Sequence, residues 1–152
     1  MFWQITIADV GSALLSGIAV IVSIVALRSS DKANQTSLRS NNCSKIFDEY
    51  LTKGIPESRI KLNFAADGLL HHGNQMCEVL SEMMFSALFY RYDVNKFFYK
   101  LQKACNDLED VIVEAGNHPR PSELEQKTFY EDLQTRLESI YGMIDDKRIG
   151  KA

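Results

Sequence analysis

"DVGSALLSGIAVIVSIVAL", Asp9 to Leu27, is apolar enough to sit in a bilayer, yet it is seeded with Gly and Ser. Its reading decides whether the chain is a soluble bundle, a secreted domain or an anchored one. A helix rises roughly 1.5 Å per residue and the hydrocarbon core is roughly 30 Å thick, so a span takes about 20 residues. Val10–Leu27 is slightly short, and Phe2, Trp3, Ile5 and Ile7 extend it, with Trp3 suited to the interface. A signal peptide needs a basic leading region. Residues 1–27 hold neither Lys nor Arg, and Asp9 is their only charged side chain. Arg28 and Lys32 stand directly after a conceivable cleavage site near Ala26, which argues for retention. The stretch therefore reads as an uncleaved transmembrane helix, residues 1–28. A buried core helix of a soluble protein is the alternative.

The flanks give an orientation. Arg28, Lys32, Arg39 and Lys45 follow the span and only Asp31 opposes them locally. The positive-inside rule puts the following domain in the cytoplasm, so the expectation is a single pass through the cell inner membrane. Cysteine usage agrees. Cys43, Cys77 and Cys105 show no CxxC spacing and read as free thiols in a reducing compartment.

Steps of three and four along the helix place Asp9, Ser12, Ser16, Ala19, Ser23, Ala26 and Ser30 on one line. Leu14, Leu15, Ile18, Ile21, Val22 and Val25 fall largely opposite. A lipid-facing surface gains nothing from Ser, whereas a helix–helix contact gains close approach and weak hydrogen bonds. The seam predicts association with copies of the chain or with a partner helix. A pore lined by the Ser stripe, with Asp9 as a charge ring at its mouth, is the sharper form. Ser and Ala merely tolerated in a span, with Asp9 as a helix cap, is the plainer one.

Everything beyond reads as helix, so the expected fold is all-α: the span, a juxtamembrane stalk at 29–45 and a small cytosolic helical domain at 46–152. Ile46, Phe47, Tyr50 and Leu51 recur at helical spacing; Gly54 is expected to stop that helix and Pro56 to open the next. "HHGNQ" looks like a turn. Met76, Val79, Leu80, Met83, Met84, Ala87 and Leu88 form one helical face. Asp93 is expected to cap a helix carrying Phe97, Leu101, Ala104, Leu108 and Val111, ended by Gly116. "NHPRP" is a loop, and "SELE", Ser122 to Glu125, is a capping box. Its helix carries Leu124, Phe129, Leu133, Leu137, Ile140, Tyr141 and Ile144. No alternating strand pattern and no repeat stands out.

Chemistry is thin. The sequence holds no P-loop, GxSxG or HExxH motif, so no enzyme and no cofactor is expected. His71 and His72 with Cys77 or His118 are a conceivable metal set, but they read as polar turn residues and no metal site is assigned. The overall charge of −3 gives no bulk attraction to nucleic acid. One constellation stands out: "FYRYDVNKFFYKLQK", Phe89 to Lys103. It interleaves aromatic residues with Arg91, Lys96, Lys100 and Lys103, and Tyr92 and Tyr99 lie near the basic face. Such a surface suits bases stacked on rings and phosphates held by ammonium groups. An amphipathic helix, aromatic side in and basic side out, is the structural alternative. Arg59 in "PESRIK" and Arg120 in "HPRP" are secondary basic candidates.

This layout resembles, in architecture alone, the small membrane-anchored effectors of type III CRISPR antiviral defence. In those, a cytosolic module binds a cyclic oligoadenylate and the membrane helices respond by disrupting the bilayer. The resemblance implies an oligomeric effector whose helical domain senses a cyclic oligonucleotide ligand and rearranges the spans. No βαβ pattern is present, so the Rossmann sensor common in such effectors is replaced by a helical one. The alternative is a membrane-tethered scaffold or accessory subunit that recruits a protein partner. It predicts an exposed apolar patch.

Overall fold

The structure, a computed structural model, describes the backbone of residues 7–118 and 120–151, with side chains from Val22 onward except at 119. The chain divides into two units, Met1–Leu38 and Arg39–Ala152.

In the first unit the backbone from Ile7 onward is helical and belongs to α1, Ile7–Glu49. Every described side chain from Val22 to Leu38 is exposed, the apolar Val22, Ile24, Val25 and Leu27 included. The residues expected to form a stalk are thus helical as far as Glu49. Among the described residues no helix is long and apolar enough to cross a membrane, so the expected transmembrane helix finds no support there. Residues 1–6 of that span, and the side chains before Val22, those of Asp9, Ser12, Ser16 and Ala19 among them, lie outside the described residues. Ser23 and Ala26 lie within them and are exposed.

The second unit packs four helical arms around one core. The first arm runs from Arg39 to Lys61 and comprises the end of α1, a π-helical turn Tyr50–Gly54, and α2, Ile55–Lys61. Cys43 and Phe47 are fully buried in it, so the compact unit takes in residues the sequence assigns to the stalk. Gly54 does not stop the helix: its backbone is helical, with φ −57° and ψ −55°. The reason for a glycine is space. A Cβ there would meet Val79 Cγ1 at 3.1 Å. Pro56 has no N–H for the carbonyl four residues back and its ring crowds that group, so the turn before it widens into π geometry.

Leu62 turns the chain into an extended conformation and a minimal hairpin follows: β1, Asn63–Phe64, antiparallel to β2, Leu70–His71. Two-residue strands are too short to show alternation, which is why a purely helical reading passes over them. The hairpin turn needs Gly68, whose φ is +81° and whose missing Cβ would lie 2.7 Å from Arg120 Cα. Asp67 accepts from the Leu69 N–H at 2.9 Å and closes the turn.

The remaining arms are α3, Gly73–Ser86, which runs into a 3-10 turn Ala87–Tyr90; α4, Phe97–Asn117; and α5, Glu123–Arg148. Each buries one stripe at helical spacing: Met76, Leu80 and Met83 on α3; Phe97, Leu101, Cys105, Leu108 and Ile112 on α4; Phe129, Leu133, Leu137, Ile140 and Ile144 on α5. The "SELE" capping box forms as expected, with the Glu125 N–H donating to Ser122 Oγ and the Ser122 N–H to Glu125 Oε2. Leu124 is a correction to the expected core. It lies in the first turn of α5, off the buried stripe, and is 72% exposed.

Side-chain pairs fix the directions. Tyr50 Oη meets Ser86 Oγ at 2.9 Å, and Ser58 Oγ meets Met76 Sδ at 2.8 Å, so α3 is antiparallel to the first arm. The Cys43 thiol reaches the Ile144 carbonyl at 3.7 Å and Tyr141 Oη donates to Leu51 O at 2.9 Å, so α5 is antiparallel to it too. The result is an up-down-up-down bundle. At one end Arg39 enters, α3 finishes, α4 starts and α5 finishes. The hairpin and the α4–α5 loop occupy the opposite end.

Phe47→Ala is expected to lower stability by about 3–5 kcal/mol in chemical denaturation, because it empties a fully buried aromatic site. Leu124→Ala is expected to stay within about 0.5 kcal/mol of the parent chain.

Candidate functional site

The segment joining α3 to α4 is held by its own turns and by contacts with α1 and α5. Successive turns are closed by Arg91 N to Leu88 O at 3.0 Å, Asp93 N to Tyr90 O at 3.0 Å and Lys96 N to Asp93 O at 3.1 Å. Tyr90 turns inward. Its ring stacks on Phe47 at 6.1 Å between centroids and meets the Phe97 ring edge-on at 5.4 Å. The Lys147 ammonium of α5 sits 5.3 Å from the Tyr90 centroid and 5.5 Å from that of Phe97, and it pairs with the Asp93 carboxylate. Asp93 therefore does not cap α4. The cap position is Lys96, in a left-handed conformation (φ 54°) and without a side-chain cap bond. A salt bridge to another helix wins over a local capping bond because the ammonium is held between two rings.

What this frame presents outward is unusual. Phe85, Phe89, Tyr92 and Val94 are 76, 69, 91 and 92% exposed. Side chains that bare project from the surface rather than line a groove. Arg91, Lys96, Tyr99, Lys100 and Lys103 are exposed on the same segment and on the first turns of α4. The corner thus carries Arg91, Tyr92, Lys96, Tyr99, Lys100 and Lys103, six of the seven sequence candidates. The alternative sorting, aromatic in and basic out, holds for Phe97 and Phe98 but not for Phe89, Tyr92 and Tyr99. Phe85 was missed, although its position off the Met76–Leu80–Met83 stripe marks it as outward-facing. Arg59 stands apart. Its guanidinium lies 4.9 Å from the Tyr130 centroid, and Tyr130 and Lys147 are about 25 Å apart along α5.

The charge pattern of α4 reinforces the contrast. Its beginning carries Lys100 and Lys103, and its second half Asp107, Glu109, Asp110 and Glu114. No acidic residue lies in its first turn and no basic one in its last. The helix macrodipole favours the reverse order, so this placement does not serve the stability of α4. The entry end also carries Arg39, Lys45 and Lys151, offset in part by Asp145 and Asp146. Lys147 and Arg148 there are paired with Asp93 and Asp48.

The described clefts lie elsewhere. The most apolar, about 420 Å³, sits at the far end between α4 and α5, floored by Phe64, Val111, Ala115 and Phe129 with Glu114 and Asp132 at its rim. Another is walled by Arg59, Gln134, Leu137 and Tyr141. No corner residue lines either. Among the described residues no group of three or more His, Cys, Asp or Glu side chains is placed to hold a metal ion. Burial pushes the Cys105 thiol up to about 12 and raises those of Cys43 and Cys77, which keeps them protonated and weakly nucleophilic. Burial likewise holds the Tyr90 hydroxyl up at about 12.

The hydrogen bond from Lys147 holds the Asp93 carboxyl below its ordinary value of 3.8. A carboxyl depressed in the folded state contributes stability that is full above its unfolded value and is lost as pH falls through the folded one. Asp93→Asn is therefore expected to lower Tm at pH 7. The gap to the parent chain should close as pH falls below about 4, followed by thermal melts across that range.

No family model matches the chain, and neither a curated protein nor a solved structure was found to be similar to it.

Proposed function

We propose that this chain is a non-enzymatic, membrane-tethered binding module. Residues 1–28 form its tether in the inner membrane, and the bundle Arg39–Ala152 works on the cytoplasmic side by surface contact. The tether is supported by the sequence, in which residues 10–27 carry no charge and basic residues follow. Exposed Val22, Ile24, Val25 and Leu27 are apolar side chains that lipid or a partner helix would cover. The observation that carries the binding reading is the projecting apolar and basic corner, Phe85 to Lys103, held by Tyr90, Asp93 and Lys147.

The ligand-gated effector is the second reading. It keeps the tether, assembles copies through the seam from Asp9 to Ala26, and assigns a cyclic oligonucleotide to the corner. The exposed rings of Tyr92 and Tyr99 beside Lys96, Lys100 and Lys103 favour it. Small ligands, however, bind in concave sites, and the corner projects. A contact surface for something larger fits the geometry better.

Under this reading the chain stays with membranes through an alkaline wash, and Ala19→Arg combined with Val22→Arg releases it, because two charges at mid-span oppose insertion. Release of the unaltered chain by the wash would overturn the tether. Thermal melts with cyclic oligoadenylates separate the two readings. An unchanged Tm is expected for the contact module, and a raised one would favour the gated effector.

A further inference from the structure

We propose that the α3–α4 corner docks on an anionic lipid surface, so that the bundle lies against the membrane that tethers it. This rests on the reading of the corner as a contact surface and names its partner.

The kind of side chain exposed supplies the first line. Phe85 lies in the last turn of α3, and Phe89, Tyr92 and Val94 follow on the connection to α4, all strongly exposed. A protein interface is close-packed and shape-complementary at its centre, and rings this exposed need pockets opposite them. A bilayer interface needs no such pockets. Aromatic and aliphatic groups enter the headgroup boundary one at a time, and the rings of Tyr and Phe are well suited to that depth.

Charge supplies the second line. From Ser86 to Lys103 the basic residues are Arg91, Lys96, Lys100 and Lys103; the acidic one is Asp93, whose carboxylate is taken by Lys147. A protein of net charge −3 thus places four basic side chains on the same segment as strongly exposed apolar ones. It does so against the preference of the α4 dipole. Basic side chains next to projecting apolar ones match an anionic headgroup layer, where each contributes about 1 kcal/mol near the surface.

Position supplies the third. The corner lies at the end of the bundle where Arg39 enters, because Tyr90 packs on Phe47 and α5 returns its Ile144 carbonyl to Cys43. Of the two ends of the bundle, this is the one nearest along the chain to the tether. The far end carries Glu114, Glu123 and Glu125, set against Lys61 and Arg120, so the corner's end is the more basic of the two.

The full chain is reconstituted in vesicles of phosphatidylcholine alone or mixed with phosphatidylglycerol. Cys43 and Cys105 are buried, so with Cys77→Ser a single environment-sensitive dye can be placed by Val94→Cys or, as a far-end control, by Glu131→Cys. Spin-labelled lipid should quench the dye at position 94 in the anionic vesicles, much less in the neutral ones, and at position 131 in neither. Lys100→Gln should lower the docked-to-undocked ratio about fivefold, and Phe89→Ser should lower it at unchanged charge. Position 94 equally water-accessible in both vesicles, or 131 quenched as strongly as 94, overturns the docking. Shielding of position 94 by an added protein or oligonucleotide without lipid quenching overturns it as well. An alkaline wash of the neutral vesicles reads the tether separately. A chain lost in that wash while its dye is still quenched by anionic vesicles refutes the tether and leaves the docking standing.

Discussion

Tyr90 packed between Phe47 and Phe97, with the Lys147 ammonium over the rings, is the contact on which the bundle's geometry depends. Phe47 belongs to the end of α1, Tyr90 to the α3–α4 connection, Phe97 to the first turn of α4 and Lys147 to the last turn of α5. One cluster thus joins all four arms at a single end. Burial makes it firm. Phe47 is fully buried and Phe97 nearly so, and burying each ring stabilises the fold by about 1.5–3 kcal/mol. Because Tyr90 turns in, its neighbours Phe89, Arg91 and Tyr92 must turn out. The exposed corner follows from the buried ring.

Much of this was readable from the sequence. The stripes of α3, α4 and α5 follow the helical period, because each arm buries one face against a single core. The capping box at Ser122 marks the start of α5 because two reciprocal hydrogen bonds are encoded by two residues three apart. The basic residues of the corner were visible too, since charge needs no fold to be seen. What failed was decided by neighbours distant in sequence. Gly54 resembles a helix stop, but it serves the close approach of Val79. Asp93 resembles a cap, but Lys147, far along the chain, takes its carboxylate. Cys43 looks like stalk until α5 is known to return beside it. The exposure of Phe89 and Tyr92 was hidden for the same reason. A run of aromatics signals burial by default, and only the inward turn of Tyr90 tells which rings remain outside.

The two halves of α4 show how physical cost can point toward use. Lysines at its start and carboxylates along its second half oppose the dipole of the helix. A helix shaped by stability alone would carry the opposite order, as α5 does with Glu123 and Glu125 in its first turn and Lys147 and Arg148 in its last. Within α4 the lysines lie beside the projecting side chains and the carboxylates run from the middle of the helix toward the opposite end. The proposed docking on anionic headgroups would draw on this arrangement.

Hydrogen exchange of the full chain in anionic and in neutral vesicles tests the central claim most directly. The account predicts added protection confined to residues 85–100 in the anionic vesicles, with the hairpin and the α4–α5 loop unchanged. Equal exchange of that segment in both vesicles, or protection centred on the far end, would contradict it.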